Sequence, residues 1–450
     1  AQFLSMANSQ QNQDLHPTEM GPPVEFKATT GGNEENQTAT IRCRQSPGSV
    51  PAKHIMAQAL SGDASRILFD YSAQAVAMQL EVDGMWENMP IIDRQNGDMM
   101  LAVFKTLAHL DPADRQTKQT GEFVAKLEQI EKICSFESQG TPSGERVLIK
   151  FRVKKDPLKT LSDLGCREIT LNSFKKWIGV HQEEGETISN GLLIVSAPEN
   201  GGGLSTLWRC ALSAADRFMR DFVAFEPDGS NETMVENIAI NHYGAESGIE
   251  AIPQIEKAVL REPDGFAVPE ISDPHILNAL CDQILTMDRM AVVSVTANNA
   301  AEALAKVCAL GVPGEKIAKV FSCSLNMRLS RRLCSTCKQP FLPHPQLLQQ
   351  LGLPQSHVQE LYQQYQPNPA EMGEIPPCPK CSGRGFKGRV GLFELLEASD
   401  HIKQAIISSP NPATFHQVAE QSGMVSMRQD GIVQLAQGIT SMQELQRVLA

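Results

Sequence analysis

Nowhere in the 450 residues does an apolar run approach the ~18 residues needed to cross a bilayer as a helix. The opening stretch "AQFLSMANSQQNQ" also lacks the charged region and long apolar region of a secretory signal. Positive charge is in deficit. Forty Lys and Arg against 52 Asp and Glu give a net charge of −12, and the isoelectric point is about 5.4. That balance argues against a protein that neutralises nucleic-acid phosphate over a broad face. Seven of the eleven cysteines (Cys43, Cys134, Cys166, Cys210, Cys281, Cys308 and Cys323) show no spacing pattern. An odd number of scattered cysteines in a chain without a secretory signal predicts reduced thiols, most of them in the core. Together these absences predict a cytoplasmic chain, and Ala rather than Met at position 1 predicts a trimmed start.

What is present falls into stretches of different rhythm, and the length argues for two or three domains. Residues 1–50 are rich in Gln, Asn, Thr, Pro and Gly ("SQQNQDLHPTEMGPP", "TTGGNEENQT") and are predicted to be a disordered tail, because they carry too little apolar surface to offset chain ordering. Residues 51–160 mix a short helix ("AKHIMAQALSG"), alternating strands ("AVAMQLEVDGMW", "RVLIKFRV") and a longer helix ("GDMMLAVFKTLAHL"), the pattern of a small α+β domain. Over 161–450 the short apolar strands "GLLIVSA", "DFVAFEP", "GFAVPEI" and "MAVVSVTA" alternate with helical stretches, which predicts an α/β domain on a largely parallel sheet. Helices close the chain over 395–450, and Ser441 three residues before Glu444 predicts a capping box for the last one.

The strongest chemical signal lies at 334–381. "CSTC" supplies Cys334 and Cys337, and "CPKC" supplies Cys378 and Cys381. Two such knuckles can present four thiolates to one tetrahedral Zn²⁺, the closed arrangement of a structural site. Pro379, Gly383 and Gly385 supply the tight turns, and no further His or Asp stands close enough in sequence to suggest catalysis.

A second signal is half-formed. "APENGGGLSTL", residues 197–207, follows the strand "GLLIVS" and leads into a helix, the layout of a phosphate-binding loop. Such a loop reads G-x-x-x-x-G-K-[ST], with backbone N–H groups around the phosphates, Lys on the terminal phosphate and a hydroxyl on Mg²⁺. Here Ala197 stands at the first Gly and Gly202 at the second, with Gly203 at the Lys and Leu204 at the hydroxyl. Within 197–206, Gly201, Gly202, Gly203, Ser205 and Thr206 remain candidates for holding phosphate weakly at a helix N-terminus. Replacing Gly203 by Lys and Leu204 by Thr is expected to raise that binding, provided the backbone cradle persists.

"RLSRRLCSTCKQPF", "CPKCSGRGFKGRVGLFELLEASD" and "GMVSMRQDGIVQLAQGITSMQELQRV" resemble, in order and spacing, the C-terminal end of the type II secretion and type IV pilus assembly ATPases. The likeness runs back through "LREPDGFAVPEISD" and the glycine loop to "ASRILFDYSAQAVAMQLEVDGMW", and so covers about 64–450; the family's further N-terminal docking domain is not matched. The resemblance implies a RecA-like P-loop NTPase domain, a preceding small α+β domain and an inserted tetracysteine zinc module. It also implies a hexameric ring with ATP and Mg²⁺ at subunit interfaces, on the cytoplasmic side of an inner-membrane complex. Transferred position by position, the acidic box falls on Glu226 and the Walker B acid on Glu270, with Asp273 kept and Ser272 where the family has Arg. Thr296 stands at the histidine box, and the arginines sent to a neighbour's phosphates fall on Glu122 and Ser135.

These losses share a direction, the removal of positive charge and metal ligands from the phosphates. They predict a pseudoenzyme subunit with a structural Zn, weak ATP/Mg binding and a scaffold or regulatory role in a ring with itself or an active paralogue. An active ATPase with a rebuilt nucleotide site is the alternative. A zinc-ribbon nucleic-acid binder is the third, resting on Arg328, Arg331, Arg332 and "GRGFKGRVG", and the acidic charge opposes it.

Overall fold

Strand Val24–Ala28 buries Val24, Phe26 and Ala28 and exposes Glu25 and Lys27 between them. Helix Asn33–Gln45 follows and turns Ala39 and Cys43 inward. Residues 21–50 are therefore part of the folded chain, which corrects the expectation of a tail running to residue 50. The Gln- and Asn-rich composition conceals a strand of only five residues and a helix that contributes just two buried positions. Residues 1–20 of the expected tail lie outside the described residues. The structure, a computed structural model, describes residues 21–153, 157–179, 190–199, 201–354, 360–366 and 376–450. The chain divides into two units, Ala1–Asp156 and Pro157–Ala450.

In the first unit every strand pairing is antiparallel. The sheet runs from edge strand Val24–Ala28 through Gln119–Leu127, Ile130–Thr141, Gly144–Arg152, Arg66–Tyr71 and Ala75–Val82 to Met85–Asn88, with Ile92–Asp93 also paired to Ala75–Val82. The last hairpin turns on Asp83–Gly84, both at positive φ (51° and 80°), the mirror-image turn that an Asp-Gly pair favours. Helices Asn33–Gln45, Ser49–Ser61 and Arg94–Leu107 contribute to one core with the strands. Its centre is aromatic: Phe104 stacks on Phe123 at 5.7 Å, and Phe26 meets both edge-on at 6.3 and 6.2 Å. One ion pair is sealed inside, Lys105 Nζ to Glu145 Oε1 at 2.6 Å.

The second unit is built on a seven-stranded sheet in the order Ile238–Tyr243, Phe222–Pro227, Gly265–Val268, Met290–Thr296, Gly191–Ala197, Phe321–Leu333, Phe386–Glu397. All neighbours are parallel except the last pair. Strand Gly191–Ala197 is buried at every residue, the continuous apolar run expected where a parallel sheet is covered on both faces. A small ribbon, Gln339–Phe341 with Leu361–Gln363, and helix Pro345–Leu351 belong to the cysteine-bearing segment. Four helices end the chain: Asp400–Ser408, Pro412–Gln421, Met427–Ala436 and Met442–Leu449. At the last, Ser441 Oγ accepts the Glu444 N–H, but the Glu444 carboxylate is committed to Arg331 and Arg447 and does not complete the box. Among the described residues no helix is long and apolar enough to cross a membrane.

Because Phe26 sits edge-on to two buried rings, Phe26→Ala should lower the stability of the first unit by ~3–5 kcal/mol. Urea unfolding of the full chain, followed by hydrogen exchange in Gln119–Leu127, measures this. A loss under ~1 kcal/mol would remove residues 21–50 from the core.

Candidate functional site

The glycine loop joins the carboxyl end of Gly191–Ala197 to helix Leu204–Ser213. Helix formation begins only at Leu204, whose successors Leu207, Trp208, Cys210, Ala211 and Leu212 are buried, and Gly203 is left as the N-cap with φ 84°. Gly202 passes so close to the Pro198 carbonyl that a Cβ there would lie 2.0 Å from its oxygen. At Gly203 a Cβ would point at the Met327 methyl and Leu329 Cδ1, both 3.1 Å away on strand Phe321–Leu333. The position that would carry Lys is thus left-handed and directed at an apolar strand. A Lys there therefore carries a backbone cost of ~1–2 kcal/mol, which sets a steric term against the expected gain in phosphate binding. Gly201 lies in the turn itself, Ser205 and Thr206 lie in the first turn of helix Leu204–Ser213, and Asn200 lies outside the described residues.

Below the loop the sheet is closed by polar groups. Asn326 Nδ2 donates to Ser196 Oγ at 2.9 Å and to the Ala297 carbonyl at 3.1 Å, and Ala297 N–H donates to the Ala197 carbonyl at 2.9 Å. Thr296 pairs in register with Ala197, and its carbonyl accepts from Lys306 Nζ at 2.8 Å. The loop, Glu226, Glu270 and Thr296 therefore stand at one edge, the carboxyl ends of parallel strands, where open α/β sheets bind ligands.

The two acids differ in state. Glu226 is wholly buried and saturated: it accepts from Ser230 Oγ at 2.9 Å, Glu232 N–H at 3.0 Å and Thr233 N–H at 2.5 Å. Thr233 Oγ1 in turn accepts from Trp208 Nε1 at 3.0 Å, so Glu226 fixes the 228–235 turn against helix Leu204–Ser213. Glu270 is exposed and held at φ 48° by its N–H bond to Ser294 Oγ at 2.8 Å. A strained acid of this kind is the sort of outlier that accumulates at functional sites. It faces a cavity of about 430 Å³ with Asp273, Glu232 and Tyr243, a lining without Lys or Arg. Burial, then the Asp273 carboxylate, pushes the Tyr243 phenol up. Asp273 itself accepts the His275 N–H at 2.7 Å and caps helix Pro274–Met287, and Ser272 shares the cavity.

Among the described residues one cation is bonded to the glycine loop. Arg389, on strand Phe386–Glu397, donates from Nη1 to the Gly201 carbonyl at 3.4 Å. Its place in "GRGFKGRVG" was legible, but the antiparallel pairing that carries that strand alongside Phe321–Leu333 was not.

The cysteine pairs converge. Cys334 and Cys378 Sγ are 3.9 Å apart, Cys337 and Cys381 Sγ 3.6 Å, and all four lie within 4.8 Å of one another. Tetrahedral Zn²⁺ with bonds of ~2.3 Å holds its sulfurs about 3.8 Å apart, so the set fits that ion. Gly385 N–H donates to Cys381 Sγ at 3.2 Å, an outer-sphere contact of the kind that orients ligands. Elsewhere burial pushes Cys43 and Cys281 up to about 11, and Cys166 and Cys308 up to about 12, so these stay thiols.

A family model described as "Type II/IV secretion system protein" matches residues 47–447. The chain belongs to this family. It is 25% identical over 421 residues to the type IV pilus assembly ATPase PilB of Thermus thermophilus, covering 92% of this chain and 44% of that protein. It is 23% identical to PilB of Acinetobacter baylyi, covering 88% and 65%. With the type II secretion system ATPase E of Vibrio cholerae the identity is 24%, over 88% and 74%. The chain thus spans less than two thirds of the two PilB proteins. Its fold is similar to the X-ray structure of the Legionella pneumophila ATPase DotB, with a TM-score of 0.54 at 11% identity over 88% of this chain and 94% of that one.

Glu122 and Ser135 are the positions onto which the resemblance carries the family's arginines. These two residues lie directly opposite each other on strands Gln119–Leu127 and Ile130–Thr141. Ser135 Oγ donates to Glu122 Oε1 at 2.8 Å, and Arg152 of the next strand pairs with Glu122 and donates from Nε to Ser135 Oγ at 3.2 Å. The sequence reading missed Arg152, whose guanidinium is already matched by a carboxylate.

Glu226→Gln should place an amide NH₂ against a backbone N–H donor in either amide orientation, Glu232 N–H or Thr233 N–H, and lower stability by ~1–3 kcal/mol. An unchanged thermal midpoint would contradict the structural role assigned to this carboxylate.

Proposed function

We propose that this chain is a secretion- or pilus-type ATPase homologue without effective hydrolysis, serving as a scaffold or regulatory subunit. On this reading the parallel sheet is a RecA-like motor core, the preceding α+β unit is the family's small domain, and the four cysteines hold a structural Zn²⁺. The subunit would join a hexameric ring with itself or a lysine-bearing paralogue, on the cytoplasmic side of an inner-membrane secretion or pilus complex. The observation that carries this is Gly203, left-handed and facing Met327 and Leu329 where the phosphate lysine belongs. Leu204 removes the metal-binding hydroxyl, and the 430 Å³ acidic cavity offers no cation to a phosphate. Phosphoryl transfer relies on such charges, and each one lost typically costs ~10²–10³ in rate. Glu270 then remains as a base position with little phosphate to serve, and ATP/Mg²⁺ binding at the loop is weak.

A second reading has one observation behind it: Arg389 at the Gly201 carbonyl is a cation beside the loop, which a rebuilt active site would use. The two readings part on turnover. Purified chain with Mg²⁺ and ATP should hydrolyse at background, and should alter the rate of a lysine-bearing paralogue when mixed with it. Brisk hydrolysis by the chain alone, abolished by Arg389→Ala, would establish the second reading.

The double variant Gly203→Lys with Leu204→Thr discriminates lost charge from lost geometry. It should lose ~1–2 kcal/mol of stability from the left-handed lysine and bind ATP no more tightly than the parent. Tighter binding by calorimetry would mean that the loop reorganises freely and only charge was missing.

A further inference from the structure

The cysteine segment does more than fold around its own thiols. Leu333, the residue before Cys334, donates its N–H to the Ile439 carbonyl at 2.8 Å. Lys338, the residue after Cys337, donates from Nζ to the Gly438 carbonyl at 2.8 Å and lies 4.1 Å over the Tyr362 ring. Gly438 packs beneath Tyr362 so closely that a Cβ would meet the ring at 2.5 Å, and Ser330 Oγ is 2.9 Å from Thr440 Oγ1. Each cysteine of the first pair is thus one residue from a group that grips 438–440, the turn joining helices Met427–Ala436 and Met442–Leu449.

We infer that metal occupancy of Cys334, Cys337, Cys378 and Cys381 controls the docking of the two last helices, with Leu333 and Lys338 as the connecting positioning residues. The physical reason is local. Metal affinity is folding energy for the segment that supplies the ligands. Cys334 N–H donates to the Gly385 carbonyl at 2.9 Å and Lys338 N–H to the Cys334 carbonyl at 2.9 Å, so the segment that the ion orders also fixes the backbone of both connecting residues. The helices have independent anchors farther along: Asp430 to Arg167, and Glu444 to Arg331 at 2.7 Å. Loss of metal should therefore free the turn and the facing helix ends before the whole pair detaches.

This rests on the zinc reading of the four cysteines, and the test separates the two. Zinc content of the full chain, purified in reductant, is measured first, followed by hydrogen exchange with and without a zinc chelator. One Zn²⁺ per chain is expected, and its removal should speed exchange of the Leu333 amide and of 437–445 by ~10-fold or more. Absence of zinc would overturn the metal reading together with the inference. Zinc present, with exchange of 437–445 unchanged on chelation, would overturn the inference alone. Lys338→Met guards against a chelated chain that simply unfolds: it should keep its zinc yet speed exchange at 437–441, and unchanged exchange in that variant would also overturn the inference.

Discussion

The second unit depends on one strand, Gly191–Ala197, which no side chain leaves for solvent. It is hydrogen-bonded in parallel to Met290–Thr296 on one side and Phe321–Leu333 on the other, so its carboxyl end is locked on both flanks. The buried Ser196, Asn326 and Ala297 bonds complete that lock with polar groups that would be costly to leave unpaired. Everything that follows Ala197 must leave the sheet from a fixed point. The glycine run is the response: a carbonyl approach that only a glycine at 202 permits, then a left-handed N-cap at Gly203 from which the helix starts at Leu204.

Buried carboxylates tie this framework together. Glu226 holds a turn to a helix through three donors. Glu394 caps two helices at once, accepting Ala300 N–H at 2.7 Å and Met427 N–H at 3.2 Å. Asp430 accepts Phe393 N–H at 3.0 Å and pairs with Arg167, and Glu444 gathers Arg331 and Arg447. Each of these acids is nearly inaccessible and satisfied by N–H groups, the condition under which a buried charge is tolerated. An acid kept at a motif position is therefore poor evidence of catalysis here, and Glu226 is the instance.

The large features were legible because they are carried by strong local patterns. Continuous apolar runs marked the parallel strands, alternation in "AVAMQLEVDGMW" and "RVLIKFRV" marked strands of the first unit, and the two C-x-x-C pairs marked the thiol cluster. Strand Val24–Ala28 and helix Asn33–Gln45 were hidden because burial there rests on three alternating residues and two helical ones in a polar setting. Arg152 and Arg389 were hidden for a different reason. Both act across a sheet, and cross-strand register is a tertiary property that neither residue's neighbours in sequence reveal. The half-made capping box at Ser441 shows the same limit, since a distant Arg331 outcompeted the local backbone for Glu444.

A helix N-terminus still favours anions where its N–H groups are free. At Gly203 the apolar strand Phe321–Leu333 adds a steric term, since Met327 and Leu329 stand 3.1 Å from where a Cβ would be, and that strand is itself pinned by Asn326 beneath and by Phe386–Glu397 alongside. A side chain at 203 would have to displace the ends of those two side chains by a few tenths of an ångström, one of them in a packed core that resists such shifts. On the function proposed above, the packing that holds this sheet together is also what sets Gly203 against Met327 and Leu329, so the scaffold role and the lack of hydrolysis would share one structural origin.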